Sequence, residues 1–87
     1  MVTVHIPAPL RSLTQGETEV VVAGTTLGEV VDALEASYPG VKDRLTAEDR
    51  IRPGWAVFID SLNVHPFFST RVPEDAHIYL APAIAGG

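Results

Sequence analysis

The residues of this 87-residue chain with the clearest chemical potential are Gly86 and Gly87, which close the run Tyr79-Leu80-Ala81-Pro82-Ala83-Ile84-Ala85-Gly86-Gly87. Read as the terminus, Gly87 presents a bare α-carboxylate on an arm almost free of side chains. Glycine lacks a Cβ, so such an arm enters channels closed to other residues and takes backbone conformations they cannot. From Pro82 to Gly87 an extended arm spans on the order of 17 Å, enough for a folded body to dock outside a buried site while its end reaches inside. Pro82 stiffens the root, Ala83 and Ala85 are small, and Ile84 is the one side chain able to anchor in a groove. The expected division is a folded domain over residues 1–81 and a flexible tail over 82–87.

Other candidate chemistry is sparse. The chain has no cysteine, which removes disulfides, thiolate metal sites and a cysteine nucleophile together. His5, His65 and His77 lack close metal-ligand spacing, so no metal is expected. Ser61 and Ser69 belong to no nucleophile motif, and Gly24 and Gly28 form no phosphate-binding loop. Glu74-Asp75 reads as a turn, because no nucleophile or second acid is placed beside it. Phe67-Phe68, next to Pro66, is the candidate apolar surface for a partner.

Charge narrows the partners. The net charge is −5, with eight acids but only Lys42 and Arg44 between residues 17 and 49, and three acids balancing three arginines from residue 50 onward. Nucleic acid is excluded as a partner, since phosphate binding needs a basic patch. The acidity belongs to one helix and its flanks, as a solvated face or as a docking surface for a basic partner. No apolar run approaches a membrane span, and residues 1–6 lack a basic leader with a long apolar stretch, so a cytoplasmic protein is expected.

These residues must be positioned by an economical core, because a domain of this size buries only a little over about 60% of its unfolded surface. Val2, Val4 and Ile6 alternate with Thr3 and His5, the period of a strand with one buried face, and Pro7 and Pro9 stop it. A long irregular loop leads through Gln15-Gly16 to a second strand, Glu19-Val20-Val21-Val22, completing a hairpin. Thr26-Leu27-Gly28-Glu29 has capping-box spacing and starts a helix. Its apolar positions Leu27, Val30, Val31, Leu34 and Tyr38 share one face, and Pro39-Gly40 ends it. Val41 and Leu45 predict one more short helical turn, followed by a polar stretch over 46–52. Trp55-Ala56-Val57-Phe58-Ile59 is the strongest strand signal. Residues 60–63 read as its turn, residues 64–68 as an edge strand or an aromatic loop, and residues 76–80 as the final strand.

A hairpin, a helix across it and further strands in a mixed sheet describe an α+β, ubiquitin-like β-grasp fold. With this order, the ending Leu80-Ala81-Pro82-Ala83-Ile84-Ala85-Gly86-Gly87 resembles that of the MoaD/ThiS sulfur carriers, and Ile6-Pro7-Ala8-Pro9-Leu10-Arg11 is similar to their first strand and following loop. The resemblance covers the whole chain and looks strongest to the carriers of actinobacterial cysteine synthesis and to molybdopterin-synthase small subunits. It implies a protein that is no enzyme and binds no cofactor. An E1-like adenylyltransferase of the MoeB/ThiF type, using ATP, would adenylate the Gly87 carboxylate. A sulfur donor would convert it to a thiocarboxylate for delivery to a sulfur-accepting enzyme, such as a molybdopterin-synthase large subunit or a cysteine synthase. Pro82, Ile84, Ala85 and Gly86 would be the tail residues recognised. Two alternatives use the same residues: a ubiquitin-like modifier joined through Gly87 to lysines of other proteins, and a β-grasp interaction domain with an inert tail.

Overall fold

The computed structural model describes residues 1–82. Strand β1 (Val2–His5) pairs antiparallel with β2 (Glu19–Val22), in a register that sets Val2 against Val22 and His5 against Glu19. On its other side β1 runs parallel to the last strand, β7 (His77–Pro82). β7 pairs antiparallel with β5 (Trp55–Ile59), and β5 carries the short edge strand β6 (Leu62–Asn63). The sheet order is therefore β2-β1-β7-β5-β6, with the first and last strands side by side at its centre.

Alternation divides this sheet into two faces. Val2, Val4, Val20, Val22, Val57, Ile59, Ile78 and Leu80 are buried, while Thr3, His5, Val21, Phe58, His77 and Tyr79 point the other way. Helix α1 (Leu27–Ser37) buries Leu27, Val30, Val31 and Leu34 in the same core, as its apolar period requires. Its acids face out. The short helix α2 (Val41–Leu45) adds Val41 and Leu45.

The start of α1 shows why the helix begins where it does. The first four N–H groups of a helix have no internal acceptor unless the preceding residue and its neighbours supply one. Here Leu27 N–H donates to Thr70 O and Gly28 N–H to Phe68 O, both at 3.0 Å, while Glu29 N–H donates to Thr26 Oγ1 at 3.2 Å and Val30 N–H to Thr26 O at 3.0 Å. The first three thus find acceptors outside the helical ladder, and Val30 makes the first i→i−4 bond of the helix. The capping box closes one residue further out than its spacing predicts, because the Glu29 carboxylate accepts from Thr25 N–H and Thr25 Oγ1–H at 2.8 and 2.9 Å. Gly28 is required by close approach: a Cβ there would lie 2.9 Å from Phe68 Cβ.

Several segments differ from the sequence reading. The irregular loop after β1 is a 3-10 helix over Ala8–Thr14. Leu10 enters the core, and the buried Thr14 hydroxyl donates to Glu17 O at 2.9 Å, which the polar appearance of the loop conceals. The polar stretch 46–52 folds into a second hairpin, β3 (Thr46–Ala47) with β4 (Arg50–Ile51), turned by Glu48 at φ 58°. Its anchors are buried Ile51, whose N–H reaches Pro66 O at 2.8 Å, and the bond from Phe68 N–H to Asp49 O at 3.0 Å. Within 60–63, Asp60 and Ser61 make the turn and Leu62 and Asn63 are already strand. Residues 64–68 form an aromatic loop carrying an isolated bridge from Phe67 to Arg50. The last strand runs one residue later at its start and two later at its end than expected, to Pro82.

Candidate functional site

The sheet delivers its central strand to the root of the arm. β7 is paired on both sides at Ile78 and Tyr79, but Leu80, Ala81 and Pro82 are paired only with β5, Pro82 lying opposite Trp55. Proline tolerates this position because a strand end spares it from donating to a ladder. Chain leaving Pro82 thus starts from an anchored strand rather than from a loop. Ile84, Ala85, Gly86 and Gly87 lie outside the described residues.

Beside this exit, the uncovered face of the sheet carries aromatic and apolar groups. Val21 is 57% and Tyr79 41% exposed, with His5 half-buried on the strand between them and Phe58 half-buried on the far side of Tyr79. The imidazole of His5 stacks on the Tyr79 ring, centroids 4.1 Å apart and planes 8° apart. His5 Nε2 also lies 2.9 Å from His77 Nδ1, within hydrogen-bond distance. Nothing in the sequence linked these histidines, which are separated by 72 positions. The signal that would have joined them is the parallel pairing of the first and last strands.

The acids of α1 are largely committed within the molecule. Glu29 closes the helix start, and its hydrogen bonds from Thr25, backbone first and then hydroxyl, hold its carboxyl below the ordinary range, with Arg71 adding to the effect. Asp32 pairs with Lys42 at 2.7 Å, which raises the ammonium above its usual value. Glu35 accepts from Gly40 N–H and Lys42 N–H at 3.1 and 2.9 Å, capping α2. Glu74 and Asp75 hold the N-terminal ammonium at 2.9 and 3.4 Å.

Phe67 and Phe68, the apolar pair suggested by the sequence, point to different places. Phe68 packs against the core, while Phe67 is 46% exposed under the Arg50 guanidinium, 5.5 Å from its ring centre. Among the described residues no group of three or more His, Asp or Glu gathers as a metal centre. No helix there is long and apolar enough to cross a membrane. A polar depression of about 440 Å³ beside α2 is lined by Glu35, Lys42, Asp43, Thr46, Glu48 and Arg52, among others, and holds neither a histidine nor a serine.

With this geometry in place, comparison with known proteins is decisive. The pattern of the ThiS family matches residues 4–87. The chain belongs to the ThiS family. It is similar to the sulfur carrier protein CysO of Mycobacterium tuberculosis, 34% identical over 93 aligned positions that cover 99% of this chain and 98% of that one. Among solved structures, the Amycolatopsis orientalis BexX/CysO complex contains a chain with TM-score 0.89 and 32% identity, both chains covered in full. M. tuberculosis CysO superposes with TM-score 0.87 at 28% identity, over 97% of this chain and all of that one. SAMP1 of Haloferax volcanii, at 20% identity over 99% of this chain and 98% of that one and TM-score 0.71, shares the fold. The architecture of this ThiS-family member is thus the ubiquitin-like β-grasp expected from its order of elements.

Proposed function

We propose that this protein is a sulfur carrier whose working group is the Gly87 carboxylate. The observation that carries the reading is full-length similarity to CysO carriers, with the family match running through Gly87. The placement of Pro82 at the end of a central, anchored strand supports it. An E1-like adenylyltransferase positions the tail so that a Gly87 carboxylate oxygen attacks the α-phosphorus of ATP. Pyrophosphate leaves, and the carboxyl becomes an acyl-adenylate. A sulfide-level donor then attacks the acyl carbon, and AMP departs with the former carboxylate oxygen, leaving a thiocarboxylate. This chain supplies the nucleophilic carboxylate and a slim arm, and the partner supplies catalysis and ATP.

Similarity to CysO favours sulfur delivery in cysteine synthesis over molybdopterin synthesis, two routes between which the tail's resemblance does not choose. Docking of the folded body to a partner protein is supported by the CysO chain solved in complex with BexX. The open face beside β7 lies close to the arm's root, so it is the natural part of the body to meet such a partner. Without cysteine in the chain, no internal thiol competes for the activated acyl group.

The test is intact mass spectrometry after incubation with ATP, an E1-like adenylyltransferase from the same genome and a sulfide source. Replacement of one carboxylate oxygen by sulfur raises the mass by about 16 Da, and this gain is expected to vanish on deletion of Gly87. Retention of the original mass with every such enzyme would overturn the proposal. Lysine-linked adducts on other proteins, dependent on Gly87, would replace it with the modifier reading.

A further inference from the structure

We propose that His5 and His77 form a two-imidazole binding site for a divalent transition ion of the Ni(II) or Cu(II) class on the open face of the sheet. The facing nitrogens, His5 Nε2 and His77 Nδ1, are 2.9 Å apart, with ring centres at 5.1 Å and planes 27° apart. Two imidazole nitrogens held cis on a tetragonal or octahedral ion at about 2.0–2.1 Å are about 2.9 Å apart, against about 3.3 Å on a tetrahedral one. Neighbouring strands thus hold the two nitrogens within the span of one ion, and the rings reach the cis arrangement by turning from the hydrogen-bonded one. Imidazole is a preferred ligand of both ions, and tetragonal N/O coordination is the one they favour.

In the metal-free pair the rings meet edge to edge and one nitrogen donates its proton to the other. An ion sits beside that line, and each ring turns to aim its lone pair at it. Both facing nitrogens must then be unprotonated. In a neutral pair, the donor ring moves its proton to its outer nitrogen, His5 Nδ1 or His77 Nε2, and no proton is released. A singly charged pair must release one proton to solvent, so the ion and acid compete for the site.

The surroundings support this role. β1 and β7 hold both residues on neighbouring paired strands, with Tyr79 stacked on His5. Glu19, opposite His5 on β2, shares the open face, and the Asp60 carboxylate accepts from the His77 backbone N–H at 3.1 Å, so each histidine has an acid on a neighbouring segment. Tyr79 is a further titratable neighbour. Among the described residues no third His, Asp or Glu completes the set, which leaves positions for water or for a ligand from outside. The site is independent of the Gly87 chemistry proposed above.

Tag-free full-length protein is titrated with Ni(II) at about pH 7.5 by calorimetry, with the three histidine Cε1–H signals followed by NMR. The expected result is one saturable site that broadens His5 and His77 and leaves His65 sharp. Affinity should fall by about tenfold or more in His5→Ala, in His77→Ala and in His77→Gln, which keeps a hydrogen-bonding side chain but no imidazole. It should be unchanged in His65→Ala and fall in acid, where protons compete with the ion for the ring nitrogens. Circular dichroism of each variant separates loss of ligation from loss of fold. Absence of binding, equal affinity in the His5 and His77 variants, or broadening centred on His65 would overturn the proposal.

Discussion

The two faces of the sheet do opposite jobs. On the covered face Val4, Ile78 and Leu80 meet Leu27, Val31 and Leu34 of α1, and the charges around that helix are engaged in caps and ion pairs. On the open face Val21 and Tyr79 remain exposed, and the polar groups His5 and His77 face each other. The contrast teaches that the acidic helix, the most conspicuous charge feature of the sequence, serves largely to end and connect helices. The groups still available for recognition lie on a face with little net charge.

The comparison is tested most strongly by truncating one side chain on each face. Leu34→Ala should cost about 2–5 kcal/mol, because it removes fully buried methyl groups and leaves a cavity. Tyr79→Ala should cost about 1 kcal/mol, chiefly through the lost stack on His5. Denaturant unfolding measures both, and equal losses would erase the distinction between the faces. Next in size, Gly28→Ala should destabilise by about 1–3 kcal/mol by forcing Phe68 out of its contact, despite the better helix propensity of alanine. A gain in stability would show that the loop over 64–71 does not clamp the helix start.

Smaller effects sharpen the reading of the acids. Thr26→Ala should lower stability by about 1 kcal/mol through loss of the N-cap. Glu29→Gln should be less stable than the parent at neutral pH. The native Glu29 carboxyl titrates below its ordinary value of 4.5, so its contribution is present above that value and is lost as pH falls through the lowered native one. The gap between the two proteins should accordingly close in acid, as thermal melts across pH would show. Smallest of all, Phe67→Ala should change stability by no more than about 0.5 kcal/mol, since its ring is exposed. Phe67 earns a role as a partner surface only if affinity for a partner falls in that variant.

Much of the fold was legible because local periods report burial. Alternation around Val2, Val4 and Ile6 and the helical spacing of Leu27, Val31 and Leu34 are direct consequences of one buried face. The hairpin β3–β4 was not legible, because its strands have two residues each and are held by distant acceptors such as Pro66 O. The separation of Phe67 from Phe68 was equally hidden, since adjacent residues in an irregular loop have no period that assigns their directions.

For the site, the residues of the arm and the slim, cysteine-free character of its chemistry were readable as sequence, being properties of residue type alone. So were the helix, its Thr26 cap and a final strand over 76–80, although the extension of that strand to Pro82 was not. The tertiary structure alone brought His5 to His77 and Tyr79. A period of two tells which side of a strand faces the core but not which strand lies beside it. That neighbour is chosen when the core closes and the last strand enters the sheet parallel to the first.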